Sequence, residues 1–132
     1  MDVKYIVIHC SDSPQGRGDN AEAIHRWHRE RGWSGIGYHF VVLEDGTVEN
    51  GRPVYWPGAH VMHHNTDTVG ICLIGKNEFT ASQTESLGWT IVELLDKFPD
   101  AEVKGHCDLD RKKTCPNFDV GTWWDEWRLA NN

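Results

Sequence analysis

Apolar positions along this chain alternate between two patterns, short unbroken runs typical of buried strands and the three-to-four spacing of helices. Val3 to Ile8 is a β-branched run ended by polar Ser11-Asp-Ser-Pro14, which predicts a buried strand with His9 at its carboxyl end. After a Gly-rich loop, Asp19-Asn-Ala-Glu22 predicts a capping signal for a helix that runs to about Arg31, stops at Gly32 and buries Ala23, Ile24 and Trp27. Tyr38 to Leu43 and Thr47 to Asn50 are extended runs joined at Asp45-Gly46, a hairpin signature. The stretch from Gly51 to Asp67 has no periodicity and is expected to be a long surface loop, followed by a buried strand over Val69 to Ile74. Thr80-Ala-Ser-Gln83 predicts a capping box, and Leu87, Ile91, Leu94, Leu95 and Phe98 continue the helix until Pro99. Val103 marks one more short strand, and Asp119 can cap a last helix carrying Trp123, Trp124 and Trp127. Strands alternating with helices, plus one hairpin, predict the α/β class: a single domain over residues 1–132 with a central mixed β-sheet flanked by helices.

Composition narrows the partners. A chain of roughly 150 residues buries about 68–70% of its unfolded surface, so these 132 residues need no disulfide staples. Cys10 and Cys72 adjoin β-like runs and are expected to be small buried hydrophobes. The amino terminus lacks the pattern of a secretory signal and no run is long enough to span a bilayer, so the product is expected to start in the cytoplasm, without a membrane partner. A formal net charge of -7 offers no basis for neutralising a phosphate backbone, which argues against nucleic acid, and a monomer is expected. The charge is uneven: Arg111, Lys112 and Lys113 could meet an anionic ligand locally.

Candidate chemistry gathers near that cluster. Eight residues separate His106 from Cys115, and His9 ends the first strand. Two imidazoles and a thiolate suit Zn²⁺, and three protein ligands leave a fourth position for water, the pattern of a hydrolytic rather than a closed structural site. Taken singly, each histidine is an ordinary residue at a strand end, and Cys115 an ordinary buried thiol. His9 and His106 both follow short strands, however, and a shared sheet would bring them to one edge. Cys107 competes with Cys115, but as the immediate neighbour of His106 it would point away on an extended chain. Lys113 would project beside Cys115 if that segment is extended, and Tyr38 opens the hairpin; either could donate to a developing oxyanion. Alternatively, Lys113 is a solvated loop lysine and Tyr38 a packed strand aromatic. His25 and His28, at i and i+3 on the first helix, form a weaker metal pair with no third ligand evident. His39 should point to the face opposite Tyr38, and His60, His63 and His64 lie in the long loop, where binding residues are often found.

Together the motifs Ile8-His-Cys-Ser11, Trp27-His28, Arg31-Gly-Trp33, Gly37-Tyr-His-Phe40, Asp45-Gly-Thr47, Val69-Gly-Ile-Cys-Leu-Ile-Gly75 and Lys113-Thr-Cys-Pro-Asn-Phe-Asp119 resemble the zinc N-acetylmuramoyl-L-alanine amidases. Among these the resemblance is greatest to the small lysozymes of short-tailed bacteriophages; peptidoglycan recognition proteins are more distant. It spans nearly the whole chain, in order. The resemblance implies a peptidoglycan recognition protein/amidase-like fold, one Zn²⁺ held by His9, His106 and Cys115, catalytic roles for Tyr38 and Lys113, and a cleft-lining, substrate-binding role for His60. It implies cleavage of the bond between the lactyl group of N-acetylmuramic acid and L-alanine in peptidoglycan, by an endolysin made in the host cytoplasm that reaches the wall once the membrane is breached.

Other readings of the resemblance are a binding module without catalysis and a regulator of a phage RNA polymerase. Binding-only recognition proteins commonly replace the ligand cysteine, which this chain keeps. The phage enzymes carry a longer segment before the first strand, linked in that family to binding and inhibiting the polymerase, whereas only Met1 and Asp2 precede the strand expected here. The His106 to Cys115 loop is also one residue longer than in those relatives.

Overall fold

The computed structural model describes residues 2–132; Met1, expected ahead of the first strand, lies outside them. In chain order the elements are β1 (Tyr5–Cys10), α1 (Ala21–Glu30), β2 (Phe40–Val42), β3 (Val48–Asn50), β4 (Thr68–Leu73), α2 (Ala81–Lys97), β5 (Glu102–Gly105), α3 (His106–Leu109) and α4 (Val120–Ala130). The strands form one sheet in the order β3-β2-β4-β1-β5. β1 is parallel to both β4 and β5, β2 is parallel to β4, and only the β2/β3 hairpin is antiparallel, which gives the expected mixed sheet.

Both faces of the central strands are covered, which is why β1 and β4 are almost unbroken apolar runs. On one face Ile6, Ile8, Val69, Ile71 and Leu73 pack with Leu87, Ile91 and Leu94 of α2 and with Val120, Trp124 and Trp127 of α4. On the other, Val41, Cys72 and Ile74 pack with Ile24 of α1 and Ile36. Because neighbours on a strand face opposite ways, His9 follows Ile8 onto the α1 side and pairs in register with Cys72. The sheet thus separates a thick aromatic core from the side that carries the chemistry.

Local signals set most boundaries. The capping box of α2 forms as expected, with the Gln83 N–H donating to Thr80 Oγ1 at 3.1 Å and the Thr80 N–H to Gln83 Oε1 at 3.0 Å. Asp119 caps α4 by accepting from the Thr122 N–H at 3.1 Å. Gly88, inside α2, lets α4 approach: a Cβ there would stand 2.0 Å from Trp127 Cε2.

Other boundaries depart from expectation. β1 begins at Tyr5 rather than Val3 because its ladder to β4 starts at Tyr5, the Lys4 N–H donating instead to the Asp67 carbonyl. α1 is capped by Asn20, which accepts from the Ala23 N–H at 3.0 Å; Asp19 is engaged by Arg17 at 2.9 Å. His28 is buried in α1 alongside Ala23 and Ile24, whereas Trp27 is only half-buried. The segment after His106 is not wholly loop, since α3 opens it with a helical turn in which the Asp110 N–H donates to the His106 carbonyl.

Candidate metal centre and cleft

Three parts of the chain meet at the carboxyl end of β1. His9 is buried in the strand, 1% exposed, His106 opens α3 directly after neighbouring β5, and Cys115 enters from the loop before α4. One donor atom from each lies within 4.8 Å of the others, and this is the cluster suited to a metal ion found among the described residues. Tetrahedral zinc with bonds of about 2.0–2.3 Å places its ligands roughly 3.3–3.6 Å apart, so the three donors need only draw in slightly. The Cys10 N–H donates to Cys115 Sγ at 3.0 Å and the Cys107 N–H to the Cys115 carbonyl at 2.9 Å, fixing the loop that delivers the sulfur. Cys107 stays outside the cluster, although its backbone is helical, not extended. Cys10 and Cys72 are buried, as expected, and all four cysteines are free thiols.

Burial sets the protonation of these donors. It pulls the His9 imidazole well below its ordinary range, with His60 and His106 adding to the effect, and it lowers His106, with Asp110 opposing. Both are therefore neutral and offer a lone pair at neutral pH. The hydrogen bond with Cys10, together with burial, pushes the Cys115 thiol up, while the same partnership holds Cys10 below its ordinary value. Cys115 therefore keeps its thiol proton in the absence of a cation, and a bound cation would drive it off.

Tyr38 and His60 close over His9 with ring centroids 5.0 and 4.9 Å away. Burial above all, helped by the nearby sulfurs of Cys72, Cys115 and Cys10, pushes the Tyr38 phenol up, so it remains a hydrogen-bond donor. His60 Nδ1 lies 2.8 Å from His9 Nε2, and burial lowers the His60 imidazole to about 3. Gly70 leaves room for that ring; a Cβ there would stand 2.7 Å from His60 Nδ1. Asn65 Oδ1 accepts from the His60 and Val61 N–H groups at 2.8 and 2.9 Å, a clamp on the long loop that the sequence did not reveal.

The His25/His28 pair is scaffolding. His25 Nδ1 accepts from the Ile36 N–H at 3.1 Å and His28 Nδ1 from the Gly37 N–H at 2.9 Å, holding the segment that leads into Tyr38. His39 is buried with its ring edge-on to that of His60 at 5.8 Å, its Nδ1 accepting from the Gly70 N–H and its Nε2 donating to the Trp56 carbonyl. His63 and His64 do not line the cleft.

The cleft over this cluster has a volume of about 840 Å³ and is lined by His9, Tyr38, His60, His106, Lys113 and Cys115, among others. Of the Arg111-Lys-Lys113 cluster only Lys113 reaches it, but Arg31 and Lys76 join from distant parts of the chain, opposed by Asp12 and Asp110. A chain of net negative charge thus presents a cleft with more cations than carboxylates. No helix among the described residues is long and apolar enough to cross a membrane.

Sheet, cleft and converging donors define the class: an α/β protein with a three-donor candidate metal site at the carboxyl end of its central strand, inside a cleft. Residues 1–118 match the N-acetylmuramoyl-L-alanine amidase family. The chain is 35% identical to the endolysin of Escherichia phage T7 over 135 aligned residues, covering 96% of this chain and 89% of that protein. Its fold is similar to the solved amidase endolysin LysCS from Clostridium intestinale (TM-score 0.86, 31% identity, 97% of this chain and 85% of that one). It is also similar to Drosophila PGRP-LB, at TM-score 0.79 and 28% identity over 95% of this chain and 79% of that one. The chain belongs to the N-acetylmuramoyl-L-alanine amidase family and is a peptidoglycan-cleaving amidase of the endolysin kind.

Proposed function

We propose that the chain is a zinc endolysin that hydrolyses the amide bond between the lactyl group of N-acetylmuramic acid and L-alanine, with His9, His106 and Cys115 as the metal ligands. The carrying observation is that these three donors converge within 4.8 Å in a cleft that also holds Tyr38 and Lys113. When bound, zinc supplies a Lewis acid for the amide carbonyl and lowers the pKa of water toward 7.

The chain's own groups do the rest. Two neutral imidazoles and one thiolate would hold a dipositive ion at net charge +1, which would favour a developing oxyanion beside it. Tyr38, held protonated by burial, donates a hydrogen bond where negative charge develops, and the Lys113 ammonium adds a positive field from the cleft's rim. Arg31 and Lys76 favour the carboxylates of a wall peptide in the same cleft. Retention of Cys115, Tyr38 and Lys113 around one cleft favours cleavage over binding alone. The enzyme acts as a monomer on the wall, from the host cytoplasm once the membrane is breached.

Incubating purified cell wall with the protein and counting newly released alanine amino groups, with and without a chelator, tests this directly. Release that a chelator abolishes and zinc restores is expected. No release, or release indifferent to zinc, would overturn the proposal.

A further inference from the structure

An imidazole can ligate a metal through either nitrogen, and the nitrogen left over must carry the proton. In most metal sites a carboxylate, carbonyl or water accepts that proton and so fixes the ring. His9 Nε2 instead faces another imidazole, His60 Nδ1, at 2.8 Å, and two imidazoles can share a proton in either direction. Something beyond the pair has to decide.

The deciding group is Thr68, the first residue of β4, whose side chain is fully buried. Its hydroxyl has one proton, which it donates to the His64 carbonyl. Thr68 Oγ1 also lies 3.0 Å from His60 Nε2, and with its only proton committed it can act there only as acceptor. His60 must then carry its proton on Nε2, which leaves Nδ1 as a lone pair. That lone pair accepts from His9 Nε2–H and frees His9 Nδ1. The opposite polarity would protonate His60 Nδ1, occupy His9 Nε2 as acceptor and put the His9 proton on Nδ1, leaving no nitrogen for a cation.

We propose that Thr68 and His60 are positioning residues that fix His9 in the Nε2–H tautomer, so that Nδ1 is the nitrogen presented to the metal. His60 is set for this task from three sides: Asn65 Oδ1 holds its backbone N–H, Gly70 makes room for its ring, and Thr68 reads its far nitrogen. This inference rests on His9 being a metal ligand, but half of its test needs no metal.

In metal-free protein labelled with ¹⁵N, long-range ¹⁵N–¹H spectra should show protonated Nε2 and unprotonated Nδ1 on both His9 and His60. Protonated Nδ1 on either ring would overturn the relay whether or not the protein cleaves wall. With ¹¹³Cd in the site, metal coupling to His9 Hε1 without coupling to Hδ2 is expected, the signature of an Nδ1 ligand; coupling to both protons would overturn the assignment. Thr68→Val keeps the shape but removes the acceptor, and zinc affinity should fall about 10- to 100-fold, while Thr68→Ser should restore it. Unchanged affinity in a folded Thr68→Val protein would also count against the relay. If that variant does not fold, the wild-type tautomers still decide the question.

Discussion

Replacing Gly88 by alanine sets two ordinary effects against each other. In an exposed helix interior the change gains about 1 kcal/mol, since glycine is that much poorer a helix former. At this position the new Cβ would stand 2.0, 2.2 and 2.5 Å from Cε2, Cζ2 and Cδ2 of Trp127, where carbon atoms prefer about 3.5–4.0 Å. Relief requires a shift of roughly 1.5 Å between α2 and the indole. Trp127 cannot yield alone, because it is stacked on Trp124 at 5.6 Å and meets Trp89 edge-on at 5.1 Å, contacts worth about 0.5–1.5 kcal/mol each. Overpacking of this kind costs about 1–3 kcal/mol, and this overlap belongs near the upper end. Net destabilisation of about 2 kcal/mol is expected, and with roughly 3–4 °C per kcal/mol for a chain of this size Tm should fall by about 6–8 °C. Calorimetry or a circular-dichroism melt, with zinc content and wall cleavage assayed below the transition, separates the outcomes. The site lies across the sheet, so both should be retained. A Tm equal to or above wild type would refute this account of how α4 docks.

Chemistry at the cleft gives further expectations. Tyr38→Phe and Lys113→Ala should each keep stoichiometric zinc by atomic absorption yet lose about 10²–10³ in kcat, and turnover near wild type in both would remove the oxyanion assignment. Cys115→Ala should lose zinc itself; wild-type zinc content in that variant would refute the ligand set. Acid should destabilise the metal-free fold, because His60 and His28 are lowered to about 3 and about 4 in the folded state from an ordinary 6.5. The unfolded chain then binds more protons than the folded one below pH 6.5, so stability is lost as pH drops, and His60 alone accounts for about 1.4 kcal/mol per pH unit until its folded value is reached. Urea midpoints that stay flat between pH 6.5 and 4.5 would show that these rings are not buried neutral.

Much of the fold was legible because its signals are local. The Thr80/Gln83 box, the Asp45-Gly46 turn, the Asp119 cap and the apolar runs of β1 and β4 act over a few residues, so sequence pattern and structure agree there. His9, His106, Cys115, Tyr38 and Lys113 could be singled out by residue type and by resemblance, and the cleft gathers all five. Tertiary structure alone decided what crosses long distances. Where β1 starts depends on its ladder to β4, and Arg31 and Lys76 reach the cleft only because α1 and the end of β4 border it. The histidines differ most of all. Nothing in the chain separates His25, His28 and His39, which brace backbone, from His9 and His60, because an imidazole's role is set by what faces each of its two nitrogens. Those partners, Gly37, Gly70, Trp56 and Thr68, are brought there by the folded sheet and its loops.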